Sequence, residues 1–272
     1  MPLIAGYMVP HPPIAVPEIG RGEERAISAT LDSFDRIAKD IAELKPETLI
    51  LTSPHQVMYR DYFHISPGSG AFGSFAPFRA PQVRLHAEYD EELRDRLAAL
   101  CKTKGFPAGT EGERDKSLDH GTMVPLYFIN RYYTDYKLVR IGLSGLSLED
   151  HVFFGKLIRQ AVEETGRKAV FIASGDLSHC QKKDGPYGYR PAGPEYDAKI
   201  MDTMGRADFR ALPDFDEDLL EDSMECGHRS FVIMGGAFGD DKICAETLSH
   251  EATFGVGYGF VIYHPEEQKV SA

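Results

Sequence analysis

Residues 168–179 read Lys-Ala-Val-Phe-Ile-Ala-Ser-Gly-Asp-Leu-Ser-His. KAVFIA is an apolar, strand-like run that gives way to small and polar residues and then to a histidine. The same grammar stands at residues 3–11, LIAGYMVPH, and at residues 48–55, TLILTSPH. An open α/β sheet presents the carboxyl ends of its strands to a ligand crevice. Three histidines at three such ends, His11, His55 and His179, therefore predict one shared metal or catalytic site.

The segments between these runs read as helices. Residues 23–44 place Ile27, Leu31, Phe34, Ile37, Ile41 and Leu44 at steps of three and four, stopped by Pro46. A strand, helix, strand order implies a parallel crossover, which brings the ends carrying His11 and His55 to one edge. Further on, the pattern predicts a helix over 89–104, a strand over 137–143, a helix over 149–164 and a helix over 195–205. Another helix begins near Cys226 and Gly227 and runs through FVIMGGAF, with strands near 243–250 and 257–263 after it. The predicted fold is α/β: one domain over 1–272, with a central mainly parallel or mixed sheet flanked by helices on both faces. Residues 66–81, SPGSGAFGSFAPFRAP, read as a mobile loop able to act as a lid. Their GxGxxG match, Gly68 to Gly73, opens no helix because Pro77 and Pro81 follow.

Composition narrows the function. With 42 acidic against 30 basic residues the net charge is −12, and no basic cluster interleaves with aromatics, so a nucleic acid would be repelled. Neither a signal-peptide pattern nor an 18-residue apolar stretch occurs, so no membrane association and a cytoplasmic location are expected. Cys101, Cys180, Cys226 and Cys244 are widely spaced and contain no CxxC pair, which argues for reduced thiols.

Each chemistry-bearing residue has a bland alternative. His11 lies in Val-Pro-His-Pro-Pro, where prolines restrict the backbone and hold the imidazole in one direction, or simply make a turn. His55 follows a strand that looks buried on both faces and should emerge at its edge. Asp176 can orient the His179 ring or cap a helix. His120, in Ser-Leu-Asp-His-Gly-Thr, stands at a helix start where its ring either enters a crevice or caps. In Glu225-Cys226-Gly227-His228, a carboxylate or a thiolate is available as a further ligand. Two histidines and a carboxylate leave open positions, as in non-haem Fe(II) enzymes, whereas a thiolate favours softer metals. His64, His86, His151, His250 and His264 lack such contexts and read as structural, His264 at a fraying end.

Together PHPP, SPH, LDHG, SGDLSH and ECGHRS, in this order from residue 10 to residue 230, resemble the class III extradiol ring-cleavage dioxygenases of the protocatechuate 4,5-dioxygenase beta-subunit (LigB-like) type and their Memo-like relatives. The resemblance implies an oxidoreductase of aromatic compound catabolism, with His11 and His55 as Fe(II) ligands, His179 as acid/base and His120 in contact with substrate or oxygen. Dioxygenases of this type take their third ligand from a glutamate at the start of the late helix, and Memo-like chains take it from a cysteine. Glu225 is the expectation on carboxylate chemistry, and Cys226 fits the Memo-like register. The implied reaction opens a catechol-type ring beside its diol with O₂, in a homodimer. Two alternatives stand beside it: a Memo-like metal or redox protein that cleaves no ring, and a hydrolase holding Zn²⁺ in the same ligands.

Overall fold

A computed structural model describes residues 3–266. Its strands are β1 (Leu3–Val9), β2 (Thr48–Ser53), β3 (Phe63–His64), β4 (Gly70–Phe75), β5 (Ala80–Glu88), β6 (Ala108–Gly109), β7 (Lys137–Gly142), β8 (Ala169–Ser174), β9 (Ile243–Glu251) and β10 (Tyr258–Pro265). The helices are α1 (Pro17–Gly20), α2 (Ser28–Leu44), α3 (Glu91–Lys104), α4 (His120–Ile129), α5 (Leu148–Thr165), α6 (Ala192–Gly205), α7 (Glu217–Ser223) and α8 (His228–Phe238). Six strands form one mixed sheet in the order β7-β2-β8-β1-β10-β9. The four strands β7, β2, β8 and β1 are mutually parallel, and β10 adds antiparallel to β1.

Alternation along β8 shows why this sheet is covered twice. Ala169, Phe171 and Ala173 join one core with α5 and α8 residues, while Val170 and Ile172 join the other with Phe34 of α2 and Phe128 of α4. Every residue of β8 and of β2 is buried, as expected of parallel strands with helices on both faces. Burying one such large apolar side chain stabilises the fold by about 1.5–3 kcal/mol.

Two elements differ from the sequence expectation. Residues 66–81 are not a loop: Gly70–Phe75 pairs antiparallel with β5, and a 3₁₀ turn at Ala76–Phe78 closes the hairpin. Pro77 sits inside that turn, and Arg79 takes the left-handed conformation that reverses the chain. Proline and glycine mark the turn and hide the strands on either side of it. His264 does not fray; it pairs with Cys244 within the sheet and its Nε2 lies 3.1 Å from Asp40 Oδ2.

The parallel register levels the strand ends. Val9 pairs with Ser174, Thr52 with Ala173, and Ser53 with Gly142. Because β8 lies between β2 and β1, the residues just past Ser53, Ser174 and Val9 emerge side by side. The turn after β8 also touches the chain that enters α8: a Cβ on Gly175 would fall inside contact distance of the Gly227 backbone. Glycine at 175 lets the two backbones meet, and at Gly227 a Cβ would run into the Phe231 ring. Gly175→Ala should therefore overpack this junction and destabilise the protein by about 1–3 kcal/mol. Denaturant unfolding checks this, and an unchanged midpoint would show that the junction has room to yield.

Candidate metal centre and its surroundings

His11 is the most fully determined side chain of the site. Its backbone N–H donates to Asp176 Oδ1 at 2.8 Å, and its Nδ1 lies 2.9 Å from Ser174 Oγ. The Ser174 hydroxyl has one proton, which it donates to the Gly121 carbonyl at 2.6 Å. Ser174 Oγ must therefore accept from His11 Nδ1–H, which leaves the lone pair on His11 Nε2. That atom faces His55 Nε2 at 3.0 Å and Cys226 Sγ at 3.7 Å. One donor atom from each of His11, His55 and Cys226 lies within 4.8 Å of the others.

The electrostatics suit a cation. Burial holds His11 well below the usual imidazole range, reinforced by the neighbouring His55 ring. Burial also lowers His55, so both rings are neutral and offer lone pairs. Cys226 is pushed far above the ordinary thiol range by burial and by the carboxylates of Asp176 and Glu225. A cation bound there has to displace the thiol proton. The Asp176 backbone N–H, 3.3 Å from Sγ, is oriented to support the thiolate. Two neutral imidazoles, a thiol supported by an N–H and a ring fixed by a hydroxyl behind it form a donor set that fits a transition-metal ion.

Three residues flank this group. Asp176 keeps Oδ2 free, 3.9 Å from His11 Nε2. Burial raises its pKa against the pull of His179 and the other histidines. His179 approaches from the turn after β8: Asp176, His179 and Cys226 also place one donor atom each within 4.8 Å. His179 Nδ1 is buried without a hydrogen-bond partner among the described residues, and the exposed Tyr187 ring stands edge-on to His179 at 5.2 Å. His120, the first residue of α4, packs against His55 with ring centroids 3.9 Å apart and the planes tilted by 33°. Burial, with His55 and His11 adding to it, takes His120 down to about 3, so its ring is neutral.

Behind His120 lies a network that the sequence reading did not find. Asp119 caps α4 by accepting from the Thr122 N–H at 3.0 Å, accepts from Ser53 Oγ at 2.5 Å and pairs with Arg140 Nη2 at 3.0 Å. Arg140, on β7, is 2% exposed. Its cation holds the Asp119 carboxyl below its usual range against burial. Asp119 was visible as part of LDHG, but no local pattern connects it to an arginine 21 positions away.

Of the two expected third ligands, Cys226 reaches the histidines and Glu225 does not. Glu225 Oε2 accepts from the His228 N–H at 2.6 Å, satisfying a free amide at the start of α8. Glu225 lines a separate cleft with Leu146, Phe215 and Arg229, and burial raises its pKa to about 7. Asp176 caps no helix; its carboxylate binds the His11 backbone instead. The remaining histidines are engaged elsewhere: His64 with the Glu111 carbonyl, His151 with the Ser147 carbonyl, His250 with Asp197, and His86 against Phe72.

A cavity of about 340 Å³ adjoins His120, between the β4–β5 hairpin and α4, lined among others by Phe75, Phe78, Leu118 and Met123. Phe78 stands edge-on to His120 at 5.2 Å. A second cleft of about 830 Å³ opens at the opposite end of the sheet, around Glu47, Lys137 and Arg167, far from the donor group. No described helix is long and apolar enough to cross a membrane.

Comparison with known proteins agrees with the geometry. Residues 5–261 match the LigB family, described as the catalytic LigB subunit of aromatic ring-opening dioxygenase. Protein CA_C1420 of Clostridium acetobutylicum is 43% identical over 266 residues, covering 95% of this chain; the chain spans 57% of the length of that relative. The 2-aminophenol 1,6-dioxygenase beta subunit of a Pseudomonas species is 26% identical over 293 residues, covering 95% of this chain and 93% of the subunit. A MEMO1 family protein of Pyrobaculum aerophilum is 37% identical over 90 residues, 33% of this chain and 32% of its own. Among solved structures, an uncharacterized Escherichia coli K12 protein, JW3007, shares the fold with a TM-score of 0.63 at 14% identity, over 95% of this chain and 99% of that one.

Two substitutions separate the supports of the site. Ser174→Ala removes the acceptor that fixes the His11 tautomer and should weaken metal binding by about 10–100-fold with little loss of stability. Arg140→Met leaves Asp119 buried and unpaired and should destabilise the fold by about 3–5 kcal/mol. Metal titration and denaturant unfolding of the two variants check both; interchanged effects would contradict the assignment.

Proposed function

This chain belongs to the LigB family, and from that premise we propose that it is a metal-dependent, O₂-using oxidoreductase acting on a small aromatic ring that carries two adjacent donor groups, a catechol or an aminophenol. The observation that carries this reading is the approach of His11 Nε2, His55 Nε2 and Cys226 Sγ to within 4.8 Å of one another, with His120 and His179 on either side. These three residues would hold the metal, Fe(II) by family kinship. When bound, it would supply Lewis acidity and electrons for the reaction of the ring with O₂.

The chain's own residues supply the rest. His179, whose Nδ1 is buried and unpartnered, takes the proton from the substrate hydroxyl and later returns one, with Asp176 beside it. General acid/base help of this kind is typically worth about 10²–10⁴-fold in rate. His120, neutral and fixed by the Asp119 cap, hydrogen-bonds to substrate or oxygen. Phe75, Phe78, Leu118 and Met123 form an apolar wall that excludes water beside the reacting ring. The relative named as a beta subunit supports an oligomer, with a homodimer as the simplest symmetric form.

Cys226 favours a second reading. A thiolate is a softer donor than the carboxylate first expected, and it suits a Memo-like metal or redox protein that opens no ring. One set of measurements separates the readings. After anaerobic purification, His11→Ala, His55→Ala and Cys226→Ala should lose iron, while Glu225→Gln keeps it. His179→Ala should keep iron and lose turnover. O₂ uptake with coloured product from catechol or 2-aminophenol supports ring opening, whereas full iron content without uptake on either compound supports the second reading. Iron content equal to wild type in the histidine and cysteine variants would overturn both.

A further inference from the structure

We propose that Asp176, His179 and Cys226 form a second cation site that shares the Cys226 sulfur with the first, takes a soft divalent ion such as Zn²⁺, and inhibits the enzyme when filled. The inference rests on the proposed ligand role of His11, His55 and Cys226 for the first ion.

Two overlapping groups meet at one atom. Each of the sets His11/His55/Cys226 and Asp176/His179/Cys226 places its donor atoms within 4.8 Å of one another. A thiolate has lone pairs enough to bind two cations, and paired metal ions in proteins commonly sit about 3.5–4 Å apart. In the second set, Asp176 and His179 each have an atom that no other described residue engages. Asp176 uses Oδ1 for the His11 N–H and leaves Oδ2 facing the donor group. His179 Nδ1 is buried and makes no hydrogen bond to any described residue, an arrangement that is costly unless a ligand completes it. Each ion would then have three protein donors and an open position, the donor count of a catalytic zinc site. Nitrogen, carboxylate oxygen and a bridging sulfur together select zinc-like ions over magnesium or calcium.

The consequence follows from the role of His179. An ion on its ring occupies the lone pair that would accept the substrate proton, and an ion on Asp176 fills the space beside the first metal. Excess Zn²⁺ therefore switches off an enzyme whose first site is loaded and intact.

Stoichiometry tests this without reliance on turnover. Full-length protein is stripped with chelator and titrated anaerobically with Zn²⁺ or Co²⁺, and bound metal is measured after equilibrium dialysis. Wild type should bind two ions per chain. His179→Ala and Asp176→Asn should each bind one, His55→Ala should retain one, and the His55→Ala/His179→Ala double variant should bind none. With Co²⁺, the thiolate charge-transfer band present after the first equivalent should shift with the second, because the same sulfur then bridges. Cys244→Ser, which alters an exposed thiol, should still bind two. A single ion in wild type, a second ion retained in both His179→Ala and Asp176→Asn, or a second ion lost in Cys244→Ser would each overturn the proposal. Two ions bound by both His11→Ala and His55→Ala would instead refute the first site, with the second still judged by His179→Ala.

Discussion

The end of β8 holds the site together. Ser174 and Asp176 grip His11 from two directions, one at the ring Nδ1 and one at the backbone N–H. The bond to Nδ1 fixes which nitrogen is free, and the bond to the backbone fixes where it stands. Because β8 lies between β1 and β2 in the sheet, the same strand end sits beside the turn that carries His55. The Gly175 to Gly227 approach then brings Cys226 against both. Each contact joins segments far apart in the chain, so the donor group exists only in the folded state and its geometry depends on one buried junction.

The segment before α8 shows how neighbouring residues acquire different tasks. Glu225 and Cys226 stand in one short segment before α8. The first free amides of that helix need an acceptor, and the longer Glu225 side chain reaches the His228 N–H to provide one. Cys226 is left against Asp176 and His11, where burial disfavours the thiolate until a cation compensates it. The carboxylate is engaged with a helix terminus, and a sulfur rather than an oxygen stands beside the two histidines.

The Asp119–Arg140 pair plays a comparable part on the other side. Asp119 caps α4, fixing the start of the helix that presents His120, and Ser53 adds a bond from the end of β2. His120 is thus tied to the strand that leads to His55. The β4–β5 hairpin packs against the same helix and supplies the aromatic wall at Phe78. Its strands escaped the sequence reading because Gly70, Gly73 and Pro77 weaken the alternation that marks a strand, and pairing with β5 stabilises them instead.

The sequence by itself determined the α/β class, the principal helices and strands, and the convergence of His11, His55 and His179, because apolar periodicity and strand-end position are local properties of the chain. It identified His120 and Asp176 as neighbours of chemistry and offered Glu225 and Cys226 together. Which of those two stands against His11 and His55, the tautomer of His11, the unpartnered nitrogen of His179 and the Arg140 support for Asp119 were decided only by the tertiary structure. Each depends on which polar groups meet in a buried space and on the free energy of leaving one unpaired there, and no segment read alone contains that information.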